Sequence, residues 1–190
     1  MFRKTKVPIL LRNILLGLRN LIERMGKILD PDIEMIYTTL LSKANLDELT
    51  PRTFMEMKYC LGTFIQNLSD DLLTLGLGRF LVEKKEMNQL MPILCVEKLL
   101  KKGNQEFLFH KGAGTMLAYV LKNMSSQEYE IRTVARRCFM RFIECGFERK
   151  KLERFFLEAV PQDDFYRISE YLRRTGKVFL RDCGLIKCFR

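Results

Sequence analysis

The chain has no tryptophan and a single histidine, His110, among its 190 residues. A lone histidine, with no acid or nucleophile placeable beside it from the sequence, is expected in an ordinary surface or helix-end role rather than in catalysis. Its six cysteines, Cys60, Cys95, Cys138, Cys145, Cys183 and Cys188, stand at irregular spacing and form no Cys-x-x-Cys pair, so no metal site of ordinary zinc spacing is expected. They fall mostly on apolar helical stripes, where cysteine behaves as a small hydrophobe, and a reduced, intracellular chain fits them. Most phenylalanines also fall on apolar stripes, leaving no stacking platform for single-stranded nucleic acid. Strand signals are missing too, because nothing alternates with period two for long enough. The roughly 20 uninterrupted apolar residues of a membrane-spanning helix are absent, since Arg12, Asn13, Arg19 and Asn20 break the segment from Val7 to Ile28. Serine does not occur before Ser42, which argues against a Ser-rich mitochondrial presequence there. Leu10, Leu11, Ile14, Leu15, Leu18, Leu21, Ile22 and Met25 instead predict an ordinary amphipathic first helix.

What is present is a substantial core and a basic surface. A hydrophobic content of 47% over 190 residues suits a single domain spanning 1–190. Lys and Arg number 33 against 23 Asp and Glu, a net charge of +10. The excess sits at the two ends of the sequence, with +6 over residues 1–28 and +7 over residues 131–190. Acidic partners follow from this, and salt weakens any of them. By charge alone nucleic acid, an acidic protein surface or an anionic membrane would each serve, as would a plainly solvated surface; the expectation carried forward is an acidic protein partner, with nucleic acid and membrane set aside.

Helix follows helix along the chain. Asp30-Pro31-Asp32-Ile33-Glu34 reads as a helix start running to about Ala44, and Thr50-Pro51 opens a second helix through Phe54, Met57, Leu61 and Ile65. Ser69-Asp70-Asp71 caps a short third helix ended by a turn at Gly76 to Gly78. The next runs from about Glu86 to Lys102, with a kink or split at Pro92 and an end at Gly103. Further helices cover about Thr115 to Asn123, Ile131 to Cys145, Glu148 to Val160 and Asp163 to Thr175. Turns near Asn45, Arg79 and Ser126 lie 34 and 47 residues apart, bracketing the roughly 40-residue period of HEAT or armadillo repeats. An irregular helical bundle is the alternative.

Patterns with an enzymatic look give way on inspection. Gly76-Leu77-Gly78 lacks the preceding strand and third glycine of a dinucleotide fingerprint, and reads as a turn. Lys111-Gly112-Ala113-Gly114-Thr115 has its lysine before the glycines, the wrong order for a phosphate loop, and reads as a flexible link. Asp70-Asp71 and Asp163-Asp164 sit at helix starts, where free N–H groups account for them. No catalytic residue, metal site or cofactor is assigned, and an enzyme is the least supported class.

The helix from Ile131 is more informative. Ile131, Val134, Ala135, Cys138, Phe142 and Cys145 share one face, so Arg132, Arg136 and Arg137 point away from the core. Arginine forks suit carboxylates and phosphates, and the competing expectation is pairing with acids on a neighbouring repeat.

A family resemblance joins these features. Leu29-Asp30-Pro31-Asp32-Ile33-Glu34 resembles a Met-Asp-Pro-Glu-Leu-Glu in the C-terminal TOG domain of the crescerin group, the TOG array regulators of axonemal microtubules. Leu40-Leu41-Ser42-Lys43-Ala44 is similar to its Leu-Leu-x-Lys-Ala, Phe64-Ile65-Gln66-Asn67 to its Met-Val-Gln-Asn, and Val96-Glu97-Lys98 to a later Val-Glu-Lys. Ser125-Ser126-Gln127-Glu128 with Arg132 and Arg136-Arg137 resembles the last turn and helix of the domain. Leu152 to Phe165 resembles its closing segment, and the order is kept over about residues 14 to 176. The resemblance implies an all-α, HEAT/armadillo-like solenoid, a TOG-like paddle of about four repeats without the first repeats of the full domain. It further implies a non-catalytic domain that binds tubulin or microtubules and supports ciliary microtubule assembly, in the cytoplasm, on the cytoskeleton, and at the cilium or its base. By the resemblance Arg52, Lys84, Lys85 and Arg132 fall near basic residues of the family's turns, and Arg136 joins them as a candidate contact. Two departures stand out: Thr50-Pro51 replaces the family's Phe-Ile, and the first turn, where many tubulin binders place a tryptophan, is missing. Two other readings remain open, an armadillo adaptor like that of the Ccr-Not deadenylase complex and a basic helical factor acting on RNA.

Overall fold

A computed structural model describes residues 3–44, 49–83, 90–103 and 105–145, and these residues contain helices and no strand. Helix α1 spans Arg3–Met25 and passes through a 3-10 segment, Gly26–Asp32, into α2, Ile33–Lys43. Helices α3 (Pro51–Asn67), α4 (Asp70–Glu83) and α5 (Leu90–Lys102) follow. A second 3-10 segment, Gln105–Phe109, leads to α6 (Ala113–Asn123) and α7 (Tyr129–Cys145). The helices expected over Glu148–Val160 and Asp163–Thr175, like Lys84 and Lys85, lie outside the described residues.

The helices pack in a repeat-like order. α1 lies on α3, α3 on α5 and α5 on α7, while α2 lies on α4 and α4 on α6. Odd-numbered helices thus form one layer and even-numbered helices a second. Side-chain contacts between successive helices of a layer span from 34 residues in sequence, for Lys102 with Leu68, through 39 and 40, for Asp30 with Ser69 and Arg137 with Glu97, to 45, for Arg79 with Glu34. Between the layers runs one connected core, including Leu41, Leu61, Phe64, Leu77, Val96, Leu117 and Phe139. Each of these large side chains contributes on the order of 1.5–3 kcal/mol through removal from water. Cys60, Cys95 and Cys138 are buried within it, as their apolar stripes imply.

Several helix boundaries agree with the sequence. Thr50 is extended and its Oγ1 accepts from Thr53 N at 3.2 Å, capping α3, while Pro51 occupies the first turn, where its missing N–H costs nothing. Residue Gly103 follows α5, but for closeness rather than for a left-handed backbone: a Cβ there would stand 3.0 Å from the Cβ of Phe107. Asp32 precedes α2 without a side-chain cap, and it is Asp30 whose carboxylate accepts from Ser69 N at 3.4 Å and Ser69 Oγ at 2.5 Å.

Others differ. Pro92 does not split the helix within the described residues, where α5 runs unbroken from Leu90 to Lys102. Gly76 and Gly78 make no turn and lie inside α4, which continues to Glu83, so Arg79 is a mid-helix residue rather than a turn marker. The cause is packing. A Cβ on Gly78 would approach the Cα of Gly112 at 2.9 Å, and a Cβ on Gly112 would approach Thr74 O at 2.5 Å. Gly112 also holds φ at +98°, left-handed territory that favours glycine, where it caps α6. The two glycine motifs, separate in sequence, form the close crossing of α4 with the start of α6.

Candidate functional site

A two-layer stack has two ends, and here they differ in charge arrangement. α3 and α5 run in the same direction: Gly62 faces the Lys98 side chain, and further along Leu68 O accepts from Lys102 Nζ at 2.9 Å. α7 continues the sense, with Arg137 on Glu97 and Phe142 near Phe107, ring centroids 6.0 Å apart. One end therefore gathers Asp30, Leu68 to Asp71, Lys102 and His110. The other gathers the starts of α3 and α7.

The first end is cross-linked. Besides the Asp30 and Ser69 bonds, Lys102 Nζ lies 2.6 Å from Asp70 Oδ1 and His110 Nδ1 lies 2.6 Å from Asp71 Oδ1. The acids at the start of α4 thus complement the helix dipole and also tie the next helical pair to it. His110 has an acidic neighbour that sequence spacing did not reveal, because Asp71 is brought to it only by the packing of α4 on α6.

At the second end the candidate residues have distinct settings. Arg52 stands exposed in the first turn of α3. Arg132, in the first turn of α7, donates from Nη1 to Ser126 O at 2.6 Å and to Gln127 O at 3.2 Å, and its guanidinium carbon lies 5.7 Å from the Tyr129 ring centroid. It closes its own turn as well as carrying charge. Arg136 is exposed one turn further along α7. The expected core face of α7 is buried at Ile131, Val134, Ala135, Cys138 and Phe142, joined by Phe139.

Arg137 pairs with an acid on a neighbouring helix, in line with the competing expectation. Its Nε donates to Glu97 Oε1 at 2.9 Å, and Lys101 Nζ lies 3.1 Å from the same oxygen. Burial pushes the Glu97 carboxyl up, but hydrogen bonds and charge from Arg137 and Lys101 outweigh it and hold the group below the usual carboxylate range. Sequence reasoning missed Glu97 as the partner. The signal available was its separation of 40 residues from Arg137, one repeat length. Two more arginines are engaged at the first helices: Arg12 Nε lies 3.6 Å and Arg19 Nη1 3.9 Å from the Glu56 carboxylate.

The buried thiols are not poised for chemistry. Burial pushes Cys60, Cys95 and Cys138 up to about 12, so they are protonated near neutrality and pack as apolar groups. Burial likewise raises the phenols of Tyr37 and Tyr119, with Cys95 adding to both. Among the described residues, no group of three or more His, Cys, Asp or Glu side chains could hold a metal ion, and no helix is long and apolar enough to cross a membrane. The arrangement supplies arginine forks on a helical scaffold, suited to an acidic surface. No model of a known protein family matches the chain, and no curated protein matches it.

Proposed function

We propose that the chain is a non-catalytic, TOG-like helical-repeat domain that binds tubulin or microtubules through the basic end of its stack and supports assembly of ciliary microtubules. The two layers are taken as a HEAT- or armadillo-like solenoid of about four repeats, whose aligned turns form an extended binding edge. The observation that carries this reading is the common direction of α3, α5 and α7, which gives Arg52 and Arg132 one end of the stack to share. An acidic tubulin surface would complement that end, with steering by charge and sensitivity to salt. Support also comes from the succession of TOG-like segments from Leu29-Asp30-Pro31 to Arg136-Arg137. Lys84 and Lys85 belong to the proposed edge by that resemblance.

Co-elution of the purified chain with unpolymerised tubulin at low and moderate salt, beside microtubule pelleting, tests the proposal. A salt-sensitive complex that disappears when Arg52, Lys84, Lys85 and Arg132 are replaced by Ala is the expected result. Undiminished binding by that variant would sink the edge, and no binding in either format would sink tubulin as the partner. One observation favours a second reading, a solenoid adaptor for another protein: Arg132 and Arg137 are committed to carbonyls and to Glu97 within the chain. An adaptor would take partners without tubulin and with little dependence on salt.

A further inference from the structure

The apolar arc of α1 is wider than its neighbours cover. Leu15 and Ile22 are buried, and Leu11 and Leu18 pack against the core where α1 lies on α3. One step round the same helix, Leu10, Ile14, Gly17, Leu21 and Met25 form a second row, and its four large side chains are exposed, Leu10 to 63% and Ile14 to 49%. Ile28, just past the helix, extends the apolar surface and is 73% exposed. Spacings of four, three, four and four residues keep this row on one side of the helix. Scattered exposed leucines are ordinary, whereas a contiguous row marks an interaction surface.

Gly17 adds shape to the row. Nothing lies within 4 Å of the place its Cβ would take, so the row contains an open notch between Ile14 and Leu21 that a large side chain of a second helix can enter. Such a row with a notch is the receiving half of helix-to-helix docking, in which anchors recur at helical spacing.

Charge selects the occupant. Residues 1–28 carry seven Lys and Arg against one Glu. That acid, Glu23, lies 4.0 Å from Arg19 and away from the row, while Arg24 is exposed directly beside it and Lys27 is exposed just past the helix. Arg12 and Arg19 are turned to Glu56, so the charge beside the row is that of Arg24 and Lys27, and a second copy of the chain would set these cations against their own copies. A lipid surface prefers a broad face with interfacial aromatics, and Arg3–Met25 contains no aromatic residue. We propose that the Leu10, Ile14, Gly17, Leu21 and Met25 row docks an amphipathic partner helix whose apolar anchors are flanked by Asp and Glu. The row shares no residue with the Arg52 and Arg132 edge, so either can fail without the other.

The test uses the full chain and a labelled synthetic helical peptide with Leu at the seam positions and Glu on both flanks, beside the same peptide with Lys flanks, read by fluorescence anisotropy. The Glu peptide should bind at least about tenfold more tightly than the Lys peptide, with an affinity that falls as salt rises. Ile14→Glu and Gly17→Leu should each weaken it about tenfold or more without loss of helix content or melting temperature, since both positions face solvent and leucine favours the helix over glycine. No binding, equal binding of the two peptides, or binding indifferent to both variants overturns the proposal. So does sedimentation showing a dimer that Ile14→Glu dissolves, which assigns the row to a second copy. Co-flotation with phosphatidylserine vesicles, lost in both variants while the Glu peptide does not bind, overturns it in favour of a membrane.

Discussion

The two ends of the stack use charge in opposite ways. Where α3 turns into α4 and α5 leads to α6, Asp30, Asp70, Asp71, Lys102 and His110 are spent on one another and on the chain itself, joining each helical pair to the next. At the other end, Arg52 stands exposed with no ion pair among the described residues, and Arg132 secures only its own turn. The partly shielded Lys102–Asp70 pair and the Asp30–Ser69 bonds hold the first end in register, while solvated cations at the second contribute little to stability and remain available to a partner. Substitutions at the first end should therefore unfold, and substitutions at the second should leave the fold and change binding.

The largest effect is expected at Gly112, beside the cross-linked end. Gly112→Ala forces a side chain into a φ of +98° and sets its Cβ 2.5 Å from Thr74 O, so α4 and α6 must separate. Strain and lost packing together should cost about 3–5 kcal/mol, read as a fall in the urea midpoint. Retention of wild-type stability would mean that the α4 and α6 crossing does not depend on glycine. Gly78→Ala meets the same crossing from the α4 side, at 2.9 Å from the Gly112 Cα, and should cost less because its backbone is helical.

Next comes Glu97, the acid that joins α5 to α7. Glu97→Gln removes the charge that Arg137 and Lys101 share and should cost about 1–3 kcal/mol near pH 7. Its carboxyl is held below its ordinary range when folded, so its contribution is present above the unfolded value of about 4.3 and is lost as pH falls through the lowered folded value. The gap in melting temperature between wild type and Glu97→Gln should accordingly close on acidification below about pH 4. A gap constant from pH 7 to pH 3 would show that the carboxylate is not what holds the two helices.

The all-helical character was legible because the apolar spacings at Phe54, Met57, Leu61 and Ile65 and along Ile131 to Phe142 depend only on which face meets the core. Thr50-Pro51 was legible because a cap and a first-turn proline act within four residues. Gly76 and Gly78 were misread as a turn, and Gly112, which does lie in the link before α6, was not seen to be packed, because the role of the crossing lies in a contact between segments more than 30 residues apart, which local propensity does not encode. The same limit hid Asp71 from His110 and Glu97 from Arg137. Of the candidate contacts, the exposure of Arg52 followed from its place at a helix start, but the engagement of Arg132 by Ser126 and Gln127 did not follow from the α7 stripe.

The smallest effects on stability belong to the basic end, and there the two arginines should part. Arg132→Ala frees the carbonyls of Ser126 and Gln127 and removes the guanidinium near Tyr129, a loss of about 1 kcal/mol at a partly buried position. Arg52→Ala, with an exposed side chain and no bond to lose among the described residues, should change stability by less than about 0.5 kcal/mol. If the end is a binding edge, Arg52→Ala should nevertheless weaken the salt-sensitive complex with an acidic partner about as much as Arg132→Ala does. Equal binding by wild type and Arg52→Ala, at unchanged stability, would reduce the edge to Arg132 and its neighbours. A clear loss of stability in Arg52→Ala would instead show that both ends of the stack spend their charge on the fold, and the contrast between them would disappear.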